Sequence, residues 1–273
     1  MSINLDVIIG TPELAVDMKA GLDSLQGVSD AARLITESVL SEKVPKRLLH
    51  NGSVRTTLKK NFSGSYGQLF SIDIYDDGMA RKLRGMGRSV FAEIFTYFID
   101  ESLYKETQII SPRAQKIVDT LGDSSDELVS QLRVSILRNI HTVSTKFNHD
   151  VKIRFRKSAS EKIVLASFDK STARFLLARE SAIKSDLIVC ITRLNIYTGN
   201  GRLQVQGEGE TVPFGFGTEY KEVAIEAKKI FSENLNHNNG IDSDKWLYLK
   251  ISAAAIKMRD GKILKYIVKG FYP

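Results

Sequence analysis

Cationic residues alternate with apolar residues over 151–157, and this spacing suits contact with phosphate groups. A strand directs alternate side chains to one face, so Lys152, Arg154 and Arg156 would project together. Side chains two positions apart on a strand are separated by about 7 Å, a spacing at which cations can follow a row of phosphates. Together with Lys157 they are candidate phosphate contacts. The alternative is an edge strand that carries charge as protection against aggregation.

A second cationic cluster surrounds two glycines just before a predicted helix. Its members are Arg81, Lys82, Arg84 and Arg88. Backbone N–H groups at the start of a helix, together with arginines, bind phosphate. We therefore predict an anion-binding site here, with an ordinary basic loop as the alternative. The segment lacks both the third glycine of the dinucleotide fingerprint and the Gly-Lys-Ser/Thr of a P-loop, so it predicts no nucleotide cofactor.

Residue groups with the spacing of catalytic or metal sites are missing from the sequence. The four histidines are scattered, there is one cysteine, and there is no Gly-x-Ser-x-Gly elbow. We therefore predict no catalytic residue, no metal site and no cofactor, and we expect a non-enzymatic protein. The alternative is a metal-dependent nuclease in which Asp73, Asp76 and Asp77, or Glu219 beside Lys221, would hold Mg²⁺.

The charge of the chain is distributed unevenly along the sequence. Its 273 residues have a net charge of +7. Residues 1–150 contain 18 Lys and Arg against 19 Asp and Glu, whereas residues 151–273 contain 21 against 13. An excess of positive charge in one part of a chain suggests a polyanionic partner, most commonly nucleic acid.

The cysteine content and the hydropathy of the sequence indicate the cellular compartment in which we expect the protein. Cys190 is the one cysteine and lies in an apolar run, which predicts a small buried side chain and fits a reducing compartment. The N-terminus has no secretion signal, and no run approaches the roughly 18 apolar residues of a membrane span. We expect a cytoplasmic protein of bacterial or phage type that does not interact with membranes.

The elements predicted for residues 1–150 are mostly helical. Alternation predicts a strand over 3–9 and a small β-hairpin over 53–61 and 68–75. Gly27 is expected to separate two helices. Wide apolar stripes predict further helices over 88–103, 112–121 and 125–145. The sequence thus predicts a helix-rich α+β domain over 1–150, whose helical part could also dock a protein partner.

After residue 150 the pattern changes to strands, which predicts a basic, strand-rich domain over 151–273. From residue 186 the order is three strands, one helix and two strands, similar to the five-stranded OB barrel that often binds oligonucleotides. A small SH3-like or Tudor-like barrel that binds protein is the alternative. The predicted fold is therefore α+β: a mostly helical N-terminal part with a small hairpin sheet, then a C-terminal five-stranded OB-like or SH3-like β-barrel with one helix, its core at 186–273.

The passage 195–203 resembles the first hairpin of cold-shock domains, because a long strand is followed by the turn Thr198-Gly199-Asn200-Gly201. That family has a nucleic-acid-binding strand after this turn, so the resemblance implies phosphate contact by Arg202 and base stacking on Tyr197. Cold-shock strands present several aromatic residues here, whereas this strand continues with Leu203 and Val205. Lys265 and Lys269 lie on one face of the predicted last strand and extend the surface.

These patterns predict a non-enzymatic protein that binds DNA or RNA through a basic C-terminal β surface. The alternatives are a protein-interaction subunit of a larger complex and, further, the metal-dependent nuclease. The predicted nucleic-acid contacts are Lys152, Arg154, Arg156, Lys157, Tyr197, Arg202, Lys265 and Lys269.

Overall fold

The computed structural model describes residues 1–12, 15–62, 66–105, 110–158 and 160–272. The chain divides into two compact units, Met1–Leu176 and Leu177–Pro273. The predicted domain boundary at 150/151 differs from this division by about one hairpin, because the first sheet includes the two strands that follow residue 150. Residues 151–176 therefore fold with the N-terminal part.

The first unit contains a five-stranded antiparallel sheet. Its strands are β1 (Ser2–Ile9), β2 (Val54–Phe62), β3 (Tyr66–Ile74), β4 (Val151–Arg156) and β5 (Lys162–Phe168). Their order in the sheet is β2-β3-β1-β4-β5, so β1 is central and β4 is an inner strand. Alternation buries one face in the core, which includes Leu5 of β1, Phe70 of β3 and Phe155 of β4.

Helices cover the buried face of this sheet. They are α1 (Met18–Ser41), α2 (Asp77–Met86), α3 (Arg88–Ser102), α4 (Pro112–Leu121), α5 (Asp123–Gln131), α6 (Leu137–Ile140), α7 (Thr142–Phe147) and α8 (Lys170–Phe175), with a π-helical turn, Leu132–Ile136, between α5 and α6. Side-chain caps fix several of the helix starts: Asp17, Asp76, Ser111 and Asp169 each accept a hydrogen bond from a backbone N–H of the first turn. Phe91, Phe95 and Phe98 of α3 are fully buried, so the aromatic stripe seen in the sequence is a core face.

The second unit contains the other five strands and one α-helix. These are β6 (Arg179–Leu194), β7 (Gly201–Val205), β8 (Thr211–Phe216), α9 (Ile225–Asn238), β9 (Leu249–Lys257) and β10 (Ile263–Tyr272). The strand order is β10-β8-β7-β6-β9, with β10 also paired to β9. β8 and β10 run parallel and the other pairs are antiparallel. Phe231 of α9 packs on Phe214 and Phe216, with ring centres 5.5 and 5.1 Å apart.

The fold-class prediction is wrong. The chain is α+β with two five-stranded sheets, and its helices occur along the chain instead of forming a mostly helical N-terminal part beside a small hairpin sheet. The predicted hairpin is present as β2 and β3, but it pairs with β1, and β1 pairs with β4 from 140 residues further along the chain. Because of this long-range pairing, the hairpin is part of a five-stranded sheet.

Two buried asparagines at the end of α9 organise the second unit. Asn234 accepts a hydrogen bond from the Ile191 N–H at a β-bulge of β6 and donates to the Leu247 carbonyl. Asn238 donates to the same carbonyl and accepts from the Leu247 N–H. The helix therefore continues to Asn238, because these amides satisfy backbone groups that the bulge and the β9 approach leave unpaired.

His141 is a buried histidine that is held in its neutral form. Its Nδ1 lies 2.6 Å from the Leu137 carbonyl oxygen, and its Nε2 lies 2.8 Å from Thr172 Oγ1. The carbonyl can only accept, so Nδ1 carries a proton, and in the neutral ring Nε2 accepts from the Thr172 hydroxyl, which then no longer donates to the Asp169 carbonyl. Burial lowers the pKa of His141, because the charged imidazolium would lose its hydration.

We expect this histidine to reduce stability in acid. Its pKa is lower in the folded chain than in the unfolded chain, so below about pH 6.5 the unfolded state binds a proton that the folded state does not. The stabilisation is complete above that pH and is lost as the pH falls. Urea unfolding at pH 7.5, 6.0 and 5.0 should show a smaller acid loss for His141→Gln than for the unmodified protein. Equal losses in the two proteins would contradict the assignment.

Candidate functional site

The eight predicted nucleic-acid contacts are divided between the two units. Lys152, Arg154, Arg156 and Lys157 belong to the first unit, and Tyr197, Arg202, Lys265 and Lys269 belong to the second. They are therefore two candidate surfaces, and each has to be judged by its own geometry.

On β4, the two arginines compensate a buried carboxylate. Asp6 of β1 is fully buried, with Arg154 Nη2 2.9 Å from its Oδ2 and Arg156 Nε 2.8 Å from its Oδ1. The Phe62 ring lies beside both guanidinium groups, with its centre 5.7 Å from Arg154 Cζ and 6.0 Å from Arg156 Cζ. Because β4 is an inner strand, the edge-strand interpretation does not apply. These arginines have a structural role in the sheet.

The two lysines of the same segment differ from the arginines. Lys152 is exposed, and Lys157 forms a 2.8 Å ion pair with Glu161 at the surface. Neither contacts the buried carboxylate of Asp6 in the described structure. The contacts thus divide the row of cations predicted over 151–157, because its middle pair contacts the buried Asp6 carboxylate whereas the two lysines lie at the surface.

The structural boundary also removes the charge asymmetry on which the sequence argument depended. Residues 1–176 contain 25 Lys and Arg against 21 Asp and Glu, and residues 177–273 contain 14 against 11. The net charges are +4 and +3. Net charge therefore does not favour the second unit as the nucleic-acid-binding part. The choice between the two units has to depend on where particular cations lie.

Three predicted cations of the second unit share one face of its sheet. Arg202 on β7 is paired with Pro213 on β8, and β8 is paired in parallel with β10, which carries Lys265 and Lys269. Alternation directs Arg202, Lys265 and Lys269 away from the core, whereas the neighbouring Leu203 is buried. We call these three residues the basic face.

Polar contacts hold each side chain of the basic face. Arg202 donates to the hydroxyl and to the carbonyl of Thr211, at 2.8 and 2.6 Å. Lys265 donates to Asn200 Oδ1 at 2.9 Å, and Lys269 forms a 2.8 Å ion pair with Glu180. The cations are consequently held in defined positions, which lowers the entropy cost of binding a ligand there.

Gly215 of β8 and Gly217, which follows β8, make room for the lysines. A Cβ added at Gly215 would lie 3.1 Å from Lys265 Nζ, and one at Gly217 would lie 3.0 Å from Lys269 Nζ. Both lysines therefore lie across strand positions that have no side chain, and a residue with a side chain there would displace them.

Tyr197 is exposed at a turn that its neighbours hold rigidly. It lies between β6 and β7 and is 57% exposed. Asn195 Oδ1 accepts the backbone N–H groups of Tyr197 and Thr198, at 2.8 and 3.2 Å. Gly199 has φ = +71° and packs against Tyr220 so closely that a Cβ would collide with that ring. The ring of Tyr197 is therefore presented to solvent from a fixed backbone.

The four cations of the predicted anion site lie at the junction of two helices and not in a loop. Arg81, Lys82 and Arg84 are on α2, and Arg88 begins α3 after Gly87, which has φ = +90°. All four are exposed. Lys82 forms a 2.8 Å ion pair with Glu42. Gly87 thus ends one helix and starts the next, whereas Gly85 lies inside α2, and a Gly-x-Gly pattern alone does not distinguish this arrangement from a phosphate-binding loop.

Of the acidic residues proposed for a nuclease, Asp73, Asp76 and Glu219 have structural partners. Asp73 accepts hydrogen bonds from the hydroxyls of Ser2, Thr57 and Ser71, which lower the pKa of its carboxyl against the effect of burial. Asp76 caps α2. The other named pair, Glu219 and Lys221, forms an ion pair. Within the described ranges, no three His, Cys, Asp or Glu side chains are grouped so that they could hold a metal ion.

A cleft in the first unit contains an acidic group that the sequence analysis missed. It has a volume of about 340 Å³ and lies between α3 and β5, with Glu93, Asp100 and Lys157 among its lining. Burial raises the pKa of the Asp100 carboxyl to about 6, and Lys105 opposes this rise only partly. Such a group can exchange a proton near neutral pH. In the sequence, Asp100 lies near the end of the apolar stripe of α3. It therefore resembles an ordinary polar residue at the end of a helix, and the sequence analysis did not identify it.

Comparisons with known proteins do not indicate a function, so the function has to be inferred from the geometry described above. No family model, no curated protein and no solved structure matches the chain significantly. Among the described helices, none combines the length and the apolar character that crossing a membrane requires.

Proposed function

We propose that this protein binds nucleic acid through the basic face of its second unit. The observation that supports the proposal is the register of β7, β8 and β10, which directs Arg202, Lys265 and Lys269 to the same side. In this proposal the three cations contact phosphates and Tyr197 stacks on a base. The activity is binding, with no chemical step.

The geometry favours a single strand as the ligand of this face. Its cations lie on β7 and β10, on either side of β8, and are few, so they suit a short stretch of backbone. Stacking on an exposed ring such as Tyr197 requires an unpaired base, and each stacked base contributes about 1–3 kcal/mol. Glu180 reduces the local charge at Lys269, so we expect moderate affinity that depends strongly on salt.

Replacing both Lys265 and Lys269 by glutamate should weaken binding of a single-stranded oligonucleotide roughly 10- to 100-fold at low salt. It should also lower the slope of log affinity against log salt by about 1.4, since each phosphate contact on a single strand contributes about 0.7. The measurement is fluorescence anisotropy of a labelled oligonucleotide across a salt series. Tyr197→Ala should weaken binding about 10-fold without changing that slope.

The matched control for the lysine variant is Lys257→Glu with Lys262→Glu. These lysines are exposed at the β9–β10 hairpin of the same unit, and the change of charge is the same. If this control lost as much affinity as the test variant, binding would depend on net charge and the basic face would be rejected. Absence of binding by the unmodified protein at low salt would reject the function itself.

A second candidate function, docking of a protein partner, is favoured by one apolar groove of the first unit. The groove has a volume of about 250 Å³ between α1 and the sheet, and Leu25, Val28 and Phe70 are among its lining. Leu58 at its rim and Leu22 one turn before Leu25 are more than half exposed. A stable complex that survives high salt and is lost on Leu58→Asp would favour this function over nucleic-acid binding.

A further inference from the structure

Three short segments of the first unit, 43–47, 81–88 and 113–116, carry positive charge only. They contain nine Lys and Arg and no Asp or Glu. The rest of residues 1–176 contains 16 Lys and Arg against 21 Asp and Glu. Without these three segments the net charge of the unit would be −5. The nine cations, all exposed, are Lys43, Lys46, Arg47, Arg81, Lys82, Arg84, Arg88, Arg113 and Lys116.

Direct contacts join the three segments into one surface, which we call the arginine surface. Lys82 on α2 pairs at 2.8 Å with Glu42, the residue that precedes segment 43–47. Arg113 at the start of α4 donates a hydrogen bond to the carbonyl of Gly85 near the end of α2. The core-facing residues of α2 are Ala80, Leu83 and Met86, so its cations lie on the opposite, solvent side.

We propose that the arginine surface binds the phosphate backbone of a nucleic-acid duplex. Five of its nine cations are arginines, whose planar guanidinium groups match phosphate oxygens in pairs. Nothing at Gly85 or Gly87 would meet an added Cβ within 4 Å, so the backbone between the arginines is open to a ligand. This surface is in a different unit from the basic face, and the proposal holds whether or not that face binds.

The three segments lack aromatic and exposed large apolar side chains, and this favours a duplex over a single strand or a membrane as the ligand. They contain no aromatic residue, so they lack the aromatic side chains on which proteins that hold single strands commonly stack unpaired bases. Leu83, Met86 and Ala114 are buried and Val44 packs against the core, so the three segments themselves present no exposed large apolar side chain that could insert into a membrane. A surface of cations alone suits sequence-independent contact with duplex phosphates.

The test compares two triple variants of the full chain for binding to a 20-base-pair duplex. The test variant is Arg81→Glu, Arg84→Glu and Arg88→Glu. The control variant is Arg138→Glu, Lys146→Glu and Lys170→Glu, which changes three exposed cations of the same unit outside the surface. We expect the test variant to lose at least 100-fold in affinity at about 50 mM salt, and the salt slope to fall by about 2.7. The control should lose less than 5-fold.

Further measurements separate this proposal from the proposed function and from a loss of folding. Replacing the same three arginines by glutamine removes the charge without reversing it, and duplex affinity should still fall at least 10-fold with an unchanged melting temperature. Duplex binding should survive Lys265→Glu with Lys269→Glu, because those residues belong to the other unit. The proposal is overturned if that second-unit variant abolishes duplex binding, or if the test and control triples lose equally. It is also overturned if the protein binds phosphatidylserine vesicles through these arginines but does not bind the duplex.

Discussion

Asp6→Ala should lower the free energy of unfolding by about 3 kcal/mol, because it leaves two partly buried arginines without their counter-ion. The carboxylate is fully buried, and the Arg154 and Arg156 side chains are about four-fifths buried around it. Removing one partner of a buried ion pair commonly costs 3–5 kcal/mol. We expect the lower end, because both guanidinium groups retain some contact with water. Urea unfolding followed by circular dichroism measures the difference.

A compensated variant distinguishes the charge effect from a general loss of packing. Asp6→Leu combined with Arg154→Leu and Arg156→Met removes all three charges and keeps side-chain volume, so it should be more stable than Asp6→Ala. If Asp6→Ala lost less than about 1 kcal/mol, the ion pairs would be dispensable and the two arginines would again be candidate ligand contacts. If the compensated variant lost as much as Asp6→Ala, packing around Phe62 would be the dominant factor.

This arrangement decides which mutations can report on function. Charge reversal at Arg154 and Arg156 would place acidic groups beside a buried carboxylate, so any loss of binding in such a variant would follow from a damaged sheet. Variants at Lys265, Lys269 and the arginine surface change exposed or partly exposed side chains on well-ordered elements. They test binding without removing a counter-ion from the core.

Local patterns predicted the hairpins and strands more successfully than the way they assemble. The sequence places strands close to the observed β2 and β3, and it places two strands after the last helix, where β9 and β10 are observed. Alternation also identifies β4. The pairing of β1 with β4 cannot be read locally, because the register between segments 140 residues apart depends on the packing of everything between them.

The candidate sites were only partly predictable for the same reason. Each of the segments 43–47, 81–88 and 113–116 is visibly basic in the sequence, but their contact depends on the Lys82–Glu42 and Arg113–Gly85 interactions. Asp6 sits in an apolar alternation where one polar residue looks like an exposed position, and only the neighbouring strand shows that it is buried between two arginines. The register of three strands, which places Arg202 with Lys265 and Lys269, is likewise a tertiary property.

Gly27→Ala should destabilise the first unit by more than about 2 kcal/mol, although alanine is intrinsically a better helix former by roughly 1 kcal/mol. Gly27 lies inside α1, where the sequence predicts a break between two helices. An added Cβ would lie 2.6 Å from the Ile140 backbone nitrogen and 2.8 Å from the Ile136 carbonyl oxygen. The glycine is therefore needed for the close crossing of two helices and not for a turn.

Gly85→Ala is the matched control, since Gly85 is also helical but has open space where its Cβ would be. It should stabilise the protein by about 0.5–1 kcal/mol through the reduced entropy of the unfolded chain. Urea unfolding of both variants should therefore give shifts of opposite sign. Two stabilising shifts would mean that α1 can move away from Ile136 and Ile140 at little cost. The crossing would then not hold α1 in place over the sheet.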